Sequence, residues 1–214
     1  IKDLPLDKIG DKGLFVKEIE KSLLDKEIDM AVHSMKDMPS YLPEGLKFAH
    51  SPRREDPRDA LIFREGYKTL EDLPQGAKIG TGSKRRKYQL LKHRPDLEIV
   101  PIRGNIETRI KKIEIENLDG VVLAASGLRR AGLEEKIDYY IPTDIMLPAP
   151  AQGILALEIR EDDKETEKII DSIKDNITKV QIDAERGFLI GVNGSCHIPM
   201  GAYCTFVILS FIES

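Results

Sequence analysis

Two proline-bearing segments limit what this chain can fold into more than any other feature. SPRREDPR (51–58) and LPAPAQG (147–153) are polar or small-residue stretches with no helical or strand periodicity of their own. Between them, short apolar runs alternate with segments of helical spacing. Strand–helix alternation predicts an α/β architecture with mostly parallel sheets. Two crossings that bracket one such unit predict a domain inserted into another, with hinge strands and a cleft between them. The expected division is a discontinuous first domain (residues 1–54 and 148–174), an inserted second domain (55–147) and a small, partial α+β third domain (175–214). The chain of 214 residues is long enough for two to three small domains.

The strands and helices follow from spacing. Helices are predicted over 15–26, 84–92, 107–116, 126–131, 163–174 and 177–190, with a helical turn at 70–74. Strands are predicted over 46–49, 59–63, 77–79, 97–102, 120–125, 139–141, 154–159 and 200–206, with a short apolar strand ending at His33. The chain opens on Ile1 in mid-element and ends on an apolar run, so both ends are expected to be cut short.

Charge is uneven. The net charge is -4, which argues against a general polyanion binder. Yet Lys84, Arg85, Arg86, Lys87, Lys92, Arg94, Arg103 and Arg109 crowd one stretch. GTGSKRR (80–86) follows a predicted strand and opens a helix. Glycines let a ligand approach the backbone, and helix-start amides point outward among hydroxyls and cations. The spacing of a Walker A loop is missing. Arg103 and Arg109 flank a second helix start, and Arg129 and Arg130 follow a third strand. Arginines at three strand ends of one sheet favour a carboxylate-rich or phosphorylated ligand.

HSMKDMP (33–39) places Ser34, Lys36 and Asp37 in a loop after a strand, where open α/β sheets bind ligands. Taken alone, the Lys36–Asp37 pair also reads as a solvated surface pair. Cys196 lies in the turn NGSCH (193–197). It reads either as a small buried hydrophobe or as a reactive or attachment thiol. Cys204 falls in a predicted strand and is read as structural. His33, His50 and His93 stand isolated in the sequence. Two thiols without zinc-ligand spacing point to a reducing compartment, the cytoplasm. No apolar run is long enough to span a bilayer.

Seven motifs in order carry a resemblance: VHSMKDMP (32–39), EDPRDA (55–60), IGTGSKRR (79–86), IRGNIETR (102–109), LAASGLRRAGL (123–133), LPAPAQG (147–153) and NGSCHIPMGAY (193–203). Together they resemble the porphobilinogen deaminase (hydroxymethylbilane synthase) family. The resemblance implies two α/β domains like periplasmic binding proteins, joined by crossing strands, plus a third domain. It implies a transferase of tetrapyrrole (haem) biosynthesis that condenses four porphobilinogen molecules into 1-hydroxymethylbilane and releases ammonia. It further implies a dipyrromethane cofactor held by a thioether to Cys196, with no metal.

By the same resemblance, Asp37, Lys36, Arg85 and Arg86 are catalytic. Ser34, Lys36, Ser83, Arg85, Arg86, Arg103, Arg109 and Arg130 hold the carboxylates of the cofactor and substrate. A monomer without nucleic-acid or membrane partners is expected. Gly82 and Lys84 depart from the family's commoner Ser and Leu, and the family's N-terminal strand with its arginine-bearing loop is absent before Ile1. A binding-protein-like anion receptor would share the arginine edge but needs no loop thiol. Against a nucleic-acid module using the Lys84–Lys87 run weigh the net charge and the scarcity of aromatic stacking platforms.

Overall fold

A computed structural model of the chain describes the backbone of residues 11–39, 41–192 and 198–206, with side chains from Val16 onward. Its elements run α1 (Asp11–Leu24), β1 (Ala31–Ser34), a 3-10 turn (Met35–Asp37), β2 (Leu46–Phe48), β3 (Asp59–Phe63), β4 (Lys78–Gly80), α2 (Lys84–His93), β5 (Glu98–Val100), α3 (Ile106–Ile115), β6 (Gly120–Ala124), α4 (Ala125–Arg130), β7 (Tyr139–Tyr140), β8 (Leu155–Arg160), α5 (Lys164–Asp171) and α6 (Asn176–Gly191), with a second 3-10 turn at Glu134–Lys136.

They build two sheets. The first has the order β1-β8-β2 and the second β5-β4-β6-β3-β7. The expected α/β class holds. The expected predominance of parallel pairing does not. Strands β1 and β2 both run antiparallel to β8, and β3 runs antiparallel to β6 and β7. Only β4 with β5 and β4 with β6 are parallel among the described strands. The reason lies in the crossings. A chain that leaves one sheet through residues 51–58 and returns through 147–153 enters and exits against the direction of the helix-linked strands. Parallel pairing survives where a helix makes the connection, as α2 and α3 do.

The second sheet is sandwiched by apolar clusters on both faces. Leu61, Ile79, Leu90, Val122 and Ile141 pack on one, and Ile62, Ile102, Ile113, Val121 and Leu128 on the other. Burial on both faces explains why DALIF and GVVLA read as continuous apolar runs. Beneath α1, the first sheet closes over Leu23, Ala31 and Leu46.

Local chemistry sets the helix starts. Ser83, Asn105, Asp163 and Asp175 each accept a hydrogen bond from a backbone N–H three residues on, capping α2, α3, α5 and α6. Two expected elements are absent. Residues 70–74 form non-helical turns. Residues 200–206 form no strand. Their backbone is instead claimed by side chains of α6: Gln181 donates to Cys204 O at 3.0 Å, and Glu185 accepts from Cys204 N at 2.8 Å. A β-rich composition cannot form a strand without a neighbouring strand to pair with.

Candidate active site

The parallel order β5-β4-β6 puts three strand C-termini along one edge. Arg85 and Arg86 follow β4, Arg103 and Arg109 follow β5, and Arg129 and Arg130 lie in α4 after β6. Sequence order alone therefore delivered guanidinium groups to a single sheet edge, as expected.

What sequence reading missed is the acid between the first two. Asp59 opens β3 and is wholly buried. Its carboxylate pairs with Arg85 Nη1 at 2.7 Å and with Arg86 Nη2 at 2.8 Å. Arg86 also donates to Val122 O at 3.0 Å. Gln152, in the second crossing, donates to Asp59 Oδ1 at 3.0 Å and to Pro57 O at 2.7 Å. Its other amide atom accepts from Lys36 Nζ at 3.0 Å. One chain of contacts therefore runs Lys36–Gln152–Asp59–Arg85/Arg86, from the turn after β1, across the crossing, to the start of α2. The signal was available. An aspartate at the head of a fully buried strand must be paired, because an isolated buried charge is prohibitively costly.

The charges do not cancel. Burial and the nearby Arg86 charge bring the Lys36 ammonium down to about 8. Arg86 and Arg85 hold Asp59 well below the usual carboxylate range, against the opposing effect of burial. Burial depresses Arg85 and Arg109 as well. At Arg109 the neighbouring Arg86 adds to the depression, and Asp37 works against it. Asp37, exposed at the end of its 3-10 turn, is thus within electrostatic reach of the arginine edge. The result is a cluster of cations with one buried acid among them.

The remaining residues are placed as follows. Ser34 is half-buried at the end of β1 and lends no side-chain cap to the turn that follows. Ser83 caps α2 through a 3.4 Å bond from Arg86 N. Arg103 is half-buried. Arg109 donates to Gly104 O at 2.7 Å, bracing the turn before α3. Arg130 is exposed, whereas Arg129 is drawn off to Glu55 and Glu134. Cys196 lies outside the described residues. The three histidines are not isolated: His33 meets Glu158 at 3.0 Å, His50 meets Asp171 at 2.7 Å and His93 meets Glu71 at 3.5 Å.

A cavity of ≈ 680 Å³ lies on the first crossing, lined by Arg53, Arg54, Arg58, Arg129 and Tyr203 among others. Of the strand-end arginines, Arg129 alone is among its lining residues. A second, of ≈ 380 Å³, includes Arg130. We place the chemistry at the Lys36–Arg86 cluster, where charges converge, rather than in either cavity. At the first cavity the guanidinium groups of Arg54, Arg58 and Arg129 already face the acids Glu185, Asp56 and Glu55.

Comparison with known proteins adds an independent finding. The family model described as "Porphobilinogen deaminase, dipyromethane cofactor binding domain" matches residues 1–168. A porphobilinogen deaminase of Clostridioides difficile (strain 630) is 69% identical over 207 residues, covering 97% of this chain and 69% of that protein. One of Clostridium novyi (strain NT) is 62% identical over 207 residues, covering 95% of this chain and 69% of that protein. This chain thus spans about two thirds of the length of those relatives. Among solved structures, a periplasmic substrate-binding protein of an ABC transporter from Coxiella burnetii aligns at 14% identity over 79% of this chain and 80% of that one, with a TM-score of 0.46. That alignment is too loose to argue from.

Proposed function

The chain belongs to the porphobilinogen deaminase family, and from that premise we propose how its residues share the work of a transferase of tetrapyrrole biosynthesis. The family's reaction condenses four porphobilinogen molecules head to tail into 1-hydroxymethylbilane and releases ammonia, on a dipyrromethane cofactor. The observation that carries the reading is the excess of buried or half-buried cations around Asp59. Arg85 and Arg86 pair with that acid, Lys36 lies within its electrostatic reach and Arg109 stands beside Arg86, and burial has already weakened the hold of Lys36, Arg85 and Arg109 on their protons. Such a site fits a ligand with several carboxylates, as pyrroles bearing acetate and propionate arms are.

When bound, the dipyrromethane supplies the terminal pyrrole carbon that acts as nucleophile. Arg86, Arg109, Arg103 and Arg130 bind acid arms along the β5-β4-β6 edge, with Ser34 and Ser83 as hydroxyl donors. Lys36 does so from the opposite sheet. Arg85 and Arg86, fixed by Asp59, present their guanidinium planes without rearranging as charge develops. Asp37 faces the incoming porphobilinogen, accepts its pyrrole N–H and steadies the cation formed there as ammonia leaves. A carboxylate beside developing positive charge stabilises the transition state electrostatically, and the same oxygen can take up a proton.

Cys196 is the proposed thioether anchor. Its loop follows α6, a helix whose Ile182 packs against the apolar cluster that contains Met35 and Met38 of the Asp37 turn. The domain division at residues 54/55, 147/148 and 174/175 belongs to this reading and is supported by the two sheets and the segments linking them. A monomeric state belongs to it too, as do residence in the cytoplasm, for which the two thiols without zinc-ligand spacing speak, and the absence of nucleic-acid partners, for which the net charge of -4 speaks. No helix among the described residues is long and apolar enough to cross a membrane.

Asp37→Ala tests the central role. We expect turnover to fall about a thousandfold, the scale of losing a principal electrostatic group, while the covalent mass increment on the protein persists. Turnover at the parental rate would defeat the assignment of Asp37.

A further inference from the structure

The turn that presents Asp37 is held from outside by a residue with no part in the scheme above. Arg186 lies on α6, half-buried. Its Nη1 donates to Met35 O and Met38 O, each at 3.4 Å, and its Nη2 donates to Pro39 O. Its guanidinium also stacks over the Phe48 ring, 5.6 Å from the centroid. Those carbonyls bracket Lys36 and Asp37 on both sides. From inside, the turn is tied by Met35 N to Ile154 O at 3.0 Å, by Met38 N to Met35 O at 3.2 Å and by the buried side chains of Met35 and Met38; Ser34 supplies no cap, and Arg186 ties the Met35, Met38 and Pro39 carbonyls to α6. Among the described residues no carboxylate pairs with Arg186, and burial lowers its affinity for its proton. A cation retained in such a place, spending its donors on main-chain oxygens, is matched to a backbone shape rather than to an opposite charge.

The preceding residue, Glu185, is buried and grips the hinge. It pairs with Arg54 at 2.6 Å and accepts from Ala151 N at 2.6 Å. Consecutive residues of α6 thus hold the crossings and the Asp37 turn.

We infer that Arg186 is a positioning residue for the reaction, clamping the Met35–Pro39 turn so that the Asp37 carboxylate meets the substrate. The inference rests on the reading of Asp37 above. A shift of the turn by about 1 Å is enough to cost about 100-fold in rate. Substrate binding, shared among several cations, changes little.

The test uses the cofactor-carrying protein, with Arg186→Gln, Arg186→Ala and Asp37→Ala made in parallel. Arg186→Gln is expected to lose about 10- to 100-fold in kcat with KM within about twofold, and to keep the parental mass increment. Free guanidinium chloride at low concentration is expected to raise kcat of Arg186→Ala and not that of the parent. A folded Arg186→Gln with parental kcat, beside an inactive Asp37→Ala, overturns the inference and leaves Asp37 standing. So does an Arg186→Ala that melts with the parent and ignores guanidinium. If neither variant folds, Arg186→Lys decides: an intermediate kcat is expected, and parental kcat shows that the fork is not needed. Full turnover by Asp37→Ala would instead defeat the premise.

Discussion

Glu158 is inaccessible to solvent in β8, yet its nearest partner is a histidine rather than a fixed cation. Burial, with the Glu20 charge beside it, raises its carboxyl to about 7. His33 is lowered by burial, and Glu20 is raised by burial against the opposing charge of Lys17. The sign of the consequence follows from proton counting. Between pH 4.5 and about 7 the folded chain holds a proton on Glu158 that the unfolded chain has released. Stability therefore falls as pH rises through that window, and the whole penalty is present above it. Glu158→Gln removes this slope. Unfolding in urea at pH 4.5 and at pH 7 should show the variant gaining on its parent by up to about 3 kcal/mol at the higher pH. Parallel pH dependence of the two proteins would contradict the placement of this proton. At the same scale, the arginines were legible because charge and position are written in the sequence. The partners of Asp59, Gln152 and Arg186 were not, because they lie 26 to 151 positions away. SPRREDPR and LPAPAQG read as crossings, and nothing local says that the strand after the first supplies the acid, and the second the amide, that tie Lys36 to Arg86.

Elements built from local contacts were easier to read. Helices α2 and α3 came within a residue of their predicted ends, because capping side chains and apolar spacing both belong to the segment itself. Strand direction did not, since it depends on how the crossings route the chain. Residues 200–206 misled for a similar reason: their apolar pattern was correct, but among the described residues no strand pairs with them to complete a ladder. The second crossing shows what the backbone needs there. Gly153 adopts φ +90°, and a Cβ on it would stand 2.5 Å from Glu55 O in the first crossing. The two crossings thus touch through bare backbone, with Glu55 N donating to Gly153 O at 3.1 Å. Gly153→Ala should cost about 1–3 kcal/mol, from left-handed strain and from pushing the crossings apart. Thermal melting checks this, and an unchanged melting temperature would show that the crossings separate freely.

For the molecule as a whole, the motifs carried the family and its chemistry, and the comparisons agree with both. The acidic chain concentrates its cations along one sheet edge and faces them from the other sheet with Lys36 and Asp37. That arrangement fits a ligand with several carboxylates, and a thiol anchor is what distinguishes a covalently held one from one that comes and goes. Intact-mass measurement of the cofactor-carrying protein tests this most directly. The account predicts an increment of two pyrrole units that maps to Cys196 and vanishes in Cys196→Ser. A folded, active protein without that increment, or one that keeps it after Cys196→Ser, would contradict the account.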